Sequence, residues 1–429
     1  MARIHDKDRR YSLLRFYVDL MFRSAYRRIE YWGKENIPQD GAIIYGPNHS
    51  NTLMDALAIL YIDQKEKVFV ARADIFKHPL ILKFLTFLKM LPINRKRDGM
   101  GTIAKNEEIN NIVVDAMRDK VPFCIMPEGT HGNTHSLIPL LKGIFRVALQ
   151  ANSDFGDKMP VYIVPAGIEF GHFYRFRSSL LVQIGEPINV TQFVREHPDL
   201  TVPEQINALR IDLSNRLKEL MLHVPNDANN QAMFELAQIS GTERTAKKTL
   251  RERFMKAKEA IHRVASLIKS NPQEAQNLLN MADDFSRKRD ALGIGMESIV
   301  KPHLGWAILG KLIVLLAGLP LFVLSAVATS PVTLLSIFLC TKFKDPAFHN
   351  TVRFLVTLSL LPLTALVSGV VVAILFWWVW GVVCFLLFMP FFLFVHEYIR
   401  WFRLFVSDVK YMRHKDLHKQ FLQIKNLNR

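Results

Sequence analysis

The chain has 429 residues, half of them hydrophobic, and 55 Lys and Arg against 39 Asp and Glu give a formal net charge of +16. That length allows more than one domain, and the positive balance points to an anionic membrane surface or to nucleic acid. The lack of zinc-finger spacing, an aromatic RNA-binding motif or a basic recognition helix disfavours a membrane-tethered nucleic-acid binder, and three cysteines (Cys124, Cys340 and Cys384) argue against a disulfide framework.

In chain order, the N-terminus MARIHDKDRR leads into no clean apolar core or cleavage site, so no secretory signal is expected. Residues 11–30 then predict a helix, with Leu14, Tyr17, Val18, Met21 and Phe22 recurring at spacings of three and four. Arg15, Arg23, Arg27 and Arg28 give it positive charge. Two readings stand open: a basic amphipathic helix in the headgroup layer, or a core-packing helix with a basic face. Short β-like runs follow at 41–45, 67–71, 121–125, 161–164 and 180–184, with helix-period segments at 102–118 and 139–151. This alternation predicts an α/β fold with a central, mainly parallel sheet flanked by helices. Residues 203–290 read as helical and highly charged, with breaks at Pro225–Asn230 and Ser270–Pro272.

Beyond residue 300 the pattern changes. Leu312–Thr341 and Phe354–Val395 contain no Asp, Glu, Lys or Arg, and about 20 apolar residues suffice for a helical crossing. Lys301 and Lys311 precede the first run, Lys342, Lys344 and Arg353 lie between the two, and Arg400, Arg403, Lys410, Arg413 and Lys415 follow. The positive-inside tendency puts all three segments on the cytoplasmic side. Each run then has to enter and return, the first broken at Pro320 or Pro331 and the second turned at Gly369 or Gly381.

Four segments carry candidate chemistry. In PNHSNTLMD, His49 is followed six positions later by Asp55. A histidine is a natural general base for a hydroxyl, and a carboxylate on its second nitrogen fixes the tautomer. A spacing of six does not share a helix face. The pair therefore meets only with His49 in a loop and Asp55 in the first turn of a helix, for which Ser50, Asn51 and Thr52 are reasonable caps. In LPINRKR, Arg95, Lys96 and Arg97 form a cationic cluster suited to a phosphate or phospholipid headgroup. In MPEGTHG, Glu128 and Thr130 flank Gly129, which allows close backbone approach. Pro165, in IVPAGI, supplies no chemical group and can only shape a pocket.

In this order the four segments resemble the glycerolipid acyltransferases, the family of the lysophosphatidate and glycerol-3-phosphate acyltransferases. The resemblance spans roughly residues 31–190, supported by RIEYWGKENIP at 28–38 and GEPI at 185–188. It implies an α/β domain that moves a fatty acyl group from acyl-CoA or acyl carrier protein to a lipid hydroxyl, with no metal and no further cofactor. By it His49 is the base, Asp55 its orienting partner and Arg95 a ligand of the acceptor's phosphate, with Lys96 and Arg97 beside it. Glu128, Gly129 and Thr130 help to bind the acceptor. Five residues separate His49 from Asp55 where the family usually has four, a form found in the yeast-type glycerol-3-phosphate/dihydroxyacetone-phosphate acyltransferases and related bacterial proteins. Lys89 stands where many members have glycine, and His131 where many have arginine.

The expected organisation is a membrane-associated helix (1–30), a catalytic domain (31–224), a charged helical segment (225–300), membrane-embedded helical hairpins (301–400) and a basic cytoplasmic tail (401–429). The expected protein is an integral one of the cytoplasmic or an equivalent internal membrane, its catalytic domain facing the cytoplasm, with membrane lipids, acyl donor and acceptor as partners. The favoured acceptor is lysophosphatidate, with glycerol 3-phosphate or dihydroxyacetone phosphate as the alternative. A catalytically inactive membrane scaffold or lipid-transfer protein is the alternative of another class, and intact His49, Asp55, Arg95 and Glu128 count against it.

Overall fold

The computed structural model describes residues 3–94, 102–132, 135–242, 249–300 and 304–428. They divide into two compact units, one of residues up to His223, the other of Val224 onward together with short stretches around Ser136 and at Arg175–Arg177. Each is described by itself.

The first unit holds an eight-stranded sheet. Its strands are β1 (Tyr26–Trp32), β2 (Ala42–Pro47), β3 (Val68–Arg72), β4 (Met90–Ile93), β5 (Phe123–Cys124), β6 (Val161–Phe170), β7 (Ser178–Ile184) and β8 (Ile188–Asn189). The order is β1-β7-β6-β2-β5-β3-β4, with β8 also on β6. Only the β6–β7 and β6–β8 pairings are antiparallel among the described residues, so the sheet is mainly parallel, as the alternating pattern predicts. Around it lie α1 (Arg9–Ala25), α2 (Leu53–Leu60), α3 (Pro79–Phe87), α4 (Thr102–Arg118), α5 (Gly143–Phe155), α6 (Val190–Glu196) and α7 (Val202–Leu220). Every residue of β2 is buried, the mark of a parallel strand covered on both faces. Ile44 and Ile163 share one core cluster with Ile144 and Ala148 of α5 and Leu209 and Leu213 of α7. That core fixes the carboxyl end of β2, from which the His49 loop emerges.

Two boundaries differ from expectation. The first helix stops at Ala25 rather than near residue 30, because Tyr26 turns extended and opens β1, which pairs in parallel with β7. Long-range pairing here overrides local periodicity. Within α1, Tyr11, Arg15, Met21 and Phe22 pack inward while Leu13, Phe16 and Leu20 face out. The helix after the PEGT motif begins at Gly143 rather than 139, because Leu141 N–H donates to Pro127 O at 2.7 Å and holds that segment extended against the motif. Strands β1, β4 and β8 and helix α3 have no counterpart among the sequence expectations. Strand β4 ends at Ile93, and the Arg95–Arg97 cluster lies outside the described residues.

The second unit begins with α8 (Asn230–Gly241), α9 (Leu250–Ser270), α10 (Pro272–Leu292) and α11 (Met296–Ile299). Asn271 caps α10 with Pro272 at its first position, so the predicted break there has the usual entry chemistry. Then come α12 (Leu304–Cys340), α13 (Ala347–Leu375), α14 (Trp378–Met412) and α15 (Asp416–Leu427). Helices α12, α13 and α14 are long and apolar enough to cross a membrane. The first apolar run is assigned as one helix with Pro320 and Pro331 inside it. The second does divide, but at Phe376–Trp377. Gly369 and Gly381 are not its turn: a Cβ on Gly369 would lie 2.9 Å from Gly381 O, so these glycines let α13 and α14 approach closely. Near the start of α12, Lys311 pairs with Asp408 of α14, and Leu315 O accepts Tyr398 Oη at 2.8 Å. Near its end, Cys340 meets His349 of α13.

Candidate active site

His49 follows β2 in a loop, and Asp55 lies in the first turn of α2, the arrangement that a spacing of six requires. His49 Nδ1 is 2.8 Å from Asp55 Oδ2. The same oxygen accepts Ser50 N–H at 2.8 Å and Asn51 N–H at 2.6 Å. Asp55 is fully buried and the His49 side chain is 16% exposed. With Nδ1 engaged, Nε2 is the nitrogen left to exchange a proton with a substrate.

The turn between them takes an unusual form. Asn51 O accepts Met54 N–H at 3.0 Å, with Thr52 at φ +45°, ψ −118°. These are the marks of a type II′ turn, whose first central position favours glycine. No side chain of Ser50, Asn51 or Thr52 caps α2 by hydrogen bonding to its first turn; Asp55 reaches back to the preceding backbone instead. The fifth intervening residue is thus absorbed in a tight left-handed turn.

Glu128 ties a second segment to this loop. One carboxylate oxygen accepts His49 N–H at 2.6 Å, and the other accepts Ile138 N–H at 2.8 Å. Burial pushes its carboxyl up to about 7, opposed by these two backbone bonds and by His49. Both oxygens therefore face the chain itself. Gly129 adopts φ +65°, and a Cβ there would meet Leu141 Cδ1 at 2.2 Å, so glycine is required. Thr130 is exposed. Gly132 N–H donates to His49 O at 3.3 Å, and the His131 ring stands edge-on to the His49 ring, centroids 5.9 Å apart. Pro165 is buried in β6, in register with Gly46. It falls between the stretches of β6 that pair with β8 and with β7, where a missing N–H breaks no ladder.

Other residues at the site were not singled out from sequence. Asn48, buried, brackets Ile168 by donating to its carbonyl (3.1 Å) and accepting its N–H (2.6 Å). Asn51 Nδ2 donates to Phe173 O at 2.6 Å. Both asparagines sit beside the histidine in PNHSN, so their positions were visible while their partners, 120 and 122 residues away, were not. Lys89 is structural: its backbone has φ +61°, a region that favours glycine. Its ammonium is held by Ile4 O, Asp6 O and Glu66.

Residues 28–169 match the family model described as Acyltransferase. The chain is 29% identical over 164 residues to a 1-acyl-sn-glycerol-3-phosphate acyltransferase of Cocos nucifera, covering 38% of this chain and 49% of that protein. It is 30% identical over 121 residues to glycerol-3-phosphate O-acyltransferase 2 of Saccharomyces cerevisiae (28% and 16% covered). A 1-acyl-sn-glycerol-3-phosphate acyltransferase of Bacillus subtilis is 24% identical over 195 residues (45% and 87%). The chain thus spans about half of the coconut protein and a small part of the yeast one. The crystal structure of the lysophosphatidate acyltransferase PlsC from Thermotoga maritima is 19% identical, covering 50% of this chain and 83% of that one, at a TM-score of 0.35. Over residues 28–169 the α/β unit with its His–Asp pair thus matches the acyltransferase family model and is similar to these glycerolipid acyltransferases.

Proposed function

We propose that this chain is a membrane-bound O-acyltransferase that moves a fatty acyl group from acyl-CoA or acyl carrier protein to the hydroxyl of a lysophosphatidate. The observation that carries this reading is the 2.8 Å contact between His49 Nδ1 and the buried Asp55. In the proposed reaction His49 Nε2 accepts the proton of the acceptor hydroxyl as its oxygen attacks the thioester carbonyl. The negatively charged Asp55 stabilises the imidazolium so formed. Collapse of the tetrahedral intermediate breaks the carbon–sulfur bond, and the imidazolium returns its proton to the departing thiolate. Glu128 acts through backbone, holding the His49 amide in place, and Arg95, Lys96 and Arg97 supply positive charge for the acceptor's phosphate. Gly129 and Thr130 shape the acceptor side, and Pro165 contributes by shaping the pocket rather than by a chemical group.

Glycerol 3-phosphate is the second reading. It is favoured by the match to a yeast protein named as its O-acyltransferase and by five residues between His49 and Asp55. The three long apolar helices support membrane association, with the catalytic unit on the cytoplasmic side. The test presents purified protein in lipid nanodiscs with labelled acyl-CoA or acyl carrier protein and with lysophosphatidate, glycerol 3-phosphate or dihydroxyacetone phosphate. Labelled phosphatidate formed from lysophosphatidate supports the first reading. Product only from the water-soluble phosphates moves the assignment to the second, and none from any acceptor overturns both.

A further inference from the structure

Helix α14 changes character along its length. Trp378–Val395 is apolar, while His396 to Met412 contains Glu397, Arg400, Arg403, Asp408 and Lys410. Exposed Trp401 and the ring of Tyr398 mark the transition, as aromatic side chains do at a membrane–water interface. The polar half of α14 is therefore at headgroup level.

Guanidinium groups gather at that level. His396, Arg400 and Arg403 are four and three residues apart and share one helix face. The short stretch Arg175–Arg177 packs there too: the Phe176 ring lies 4.5 Å from His396 and 5.7 Å from Phe392, centroid to centroid. Arg177 Nε is 3.0 Å from Glu397 Oε1, and Arg400 Nε is 3.0 Å from Glu397 Oε2. Helices α13 and α14 run antiparallel and touch at Gly369 and Gly381. Continuing that register brings Arg353 opposite Glu397. Arg353, Arg177 and Arg403 all lie within electrostatic reach of His396, and Arg403 and Glu297 within reach of Arg175. The carboxylates bearing on this group, Glu297 and Glu397, are outnumbered by the guanidiniums. Arg175 and Arg403 are exposed, and Arg177, Arg353 and Arg400 are partly so. The cluster is therefore open to a ligand.

Like charges gathered beside apolar helices are unfavourable unless an anion joins them, and such groups mark functional positions. Planar guanidiniums suit the paired oxygens of a phosphate, and basic pockets between membrane helices take lipid headgroups. We infer that Arg353 and Arg403, with Arg175, Arg177 and Arg400, form a binding site for the phosphate group of a membrane lipid. The source is a lipid rather than free phosphate because the cluster borders the apolar surface of α13 and α14, where Leu363, Leu366, Val367 and Val370 are exposed. This inference does not depend on the acyltransferase reading.

The experiment titrates the full chain, in a neutral detergent, with phosphatidic acid, inorganic phosphate or diacylglycerol and follows its thermal unfolding. Phosphatidic acid is expected to raise Tm saturably. The midpoint should shift at least tenfold to higher lipid in Arg353→Gln/Arg403→Gln and at least threefold in Arg403→Gln alone. Because Arg403 is exposed, the single variant keeps the test valid even if the double variant does not fold. Arg287→Gln, at an exposed position of α10, serves as the control that leaves the midpoint unchanged. Midpoints that stay with the wild type in the arginine variants overturn the inference, as does equal stabilisation by diacylglycerol. Stabilisation by inorganic phosphate at the same concentrations overturns the lipid as its source.

Discussion

Asp55 Oδ2 is shared by the ring of His49, at 2.8 Å, and by the backbone N–H groups of Ser50 and Asn51. One buried oxygen therefore orients the proposed base and also closes the loop that carries it. Asn at this position keeps the shape and can place its oxygen where Oδ2 lies, but loses the charge that stabilises the imidazolium. Asp55→Asn is expected to lower kcat roughly 10²–10⁴-fold, the range associated with a general base, with little change in KM for the acyl donor. Steady-state kinetics on both substrates check this. A large KM effect at constant kcat would place Asp55 in binding instead.

Glu128 makes a separable contribution. Its two oxygens accept His49 and Ile138 N–H. In Glu128→Gln the side-chain amide must face one of those donors with an N–H of its own. The loss of a charge-assisted bond is about 1.5–3 kcal/mol, read as a lower Tm at pH 8 and as reduced kcat.

The same residue gives a pH dependence with a defined sign. Burial raises the folded carboxyl from 4.5 to about 7, so between those values the native state keeps a proton that the unfolded chain releases. Its contribution to stability is full below about 4.5 and is lost as pH rises through 7. Urea unfolding from pH 5 to 8 should show a steeper decline for the wild type than for Glu128→Gln. Parallel curves would contradict the assignment.

Thr52 stands at φ +45°, where a β-branched residue is strained. Thr52→Gly relieves that strain but frees the unfolded chain, two effects of about 1 kcal/mol that oppose each other. Its Tm is expected within a few degrees of the wild type. Thr52→Pro cannot reach this φ and should cost about 3 kcal/mol or more, with activity lost. A tolerated proline would mean that the turn is not the native one.

The α/β class, the strand cores and the His–Asp junction were legible because each is written in local pattern: apolar runs of strand length, or a spacing that only a loop-to-helix corner can satisfy. Strand β1 was not legible, because Tyr26–Trp32 is extended only by pairing with β7 more than 150 residues later. The role of Glu128 was hidden for the same reason, since its partners His49 and Ile138 are joined only by the fold. His131 reads as an isolated histidine and is found against the His49 ring. The break at Phe376–Trp377 has no proline or glycine to announce it, whereas Pro320 and Pro331 remain within a helix.

The contacts of α12 bear on topology. Its beginning touches Tyr398 and Asp408 of α14, and its end touches His349 of α13. In the antiparallel α13–α14 pair those stretches lie toward the same end, as they would if Pro320 and Pro331 bend α12 back on itself. A cysteine placed at Lys344 should then react with impermeant maleimide from the same side of sealed vesicles as one at Lys288, which precedes α12. Labelling from opposite sides would show that α12 crosses once.

The most direct test of the central claim is acyl transfer by His49→Ala in nanodiscs, beside wild type with the same folded fraction. Transfer from labelled acyl-CoA or acyl carrier protein to lysophosphatidate or glycerol 3-phosphate is expected to fall at least 100-fold, while binding of the acyl donor is retained. Product formation at the wild-type rate would show that the imidazole held by Asp55 is not the base.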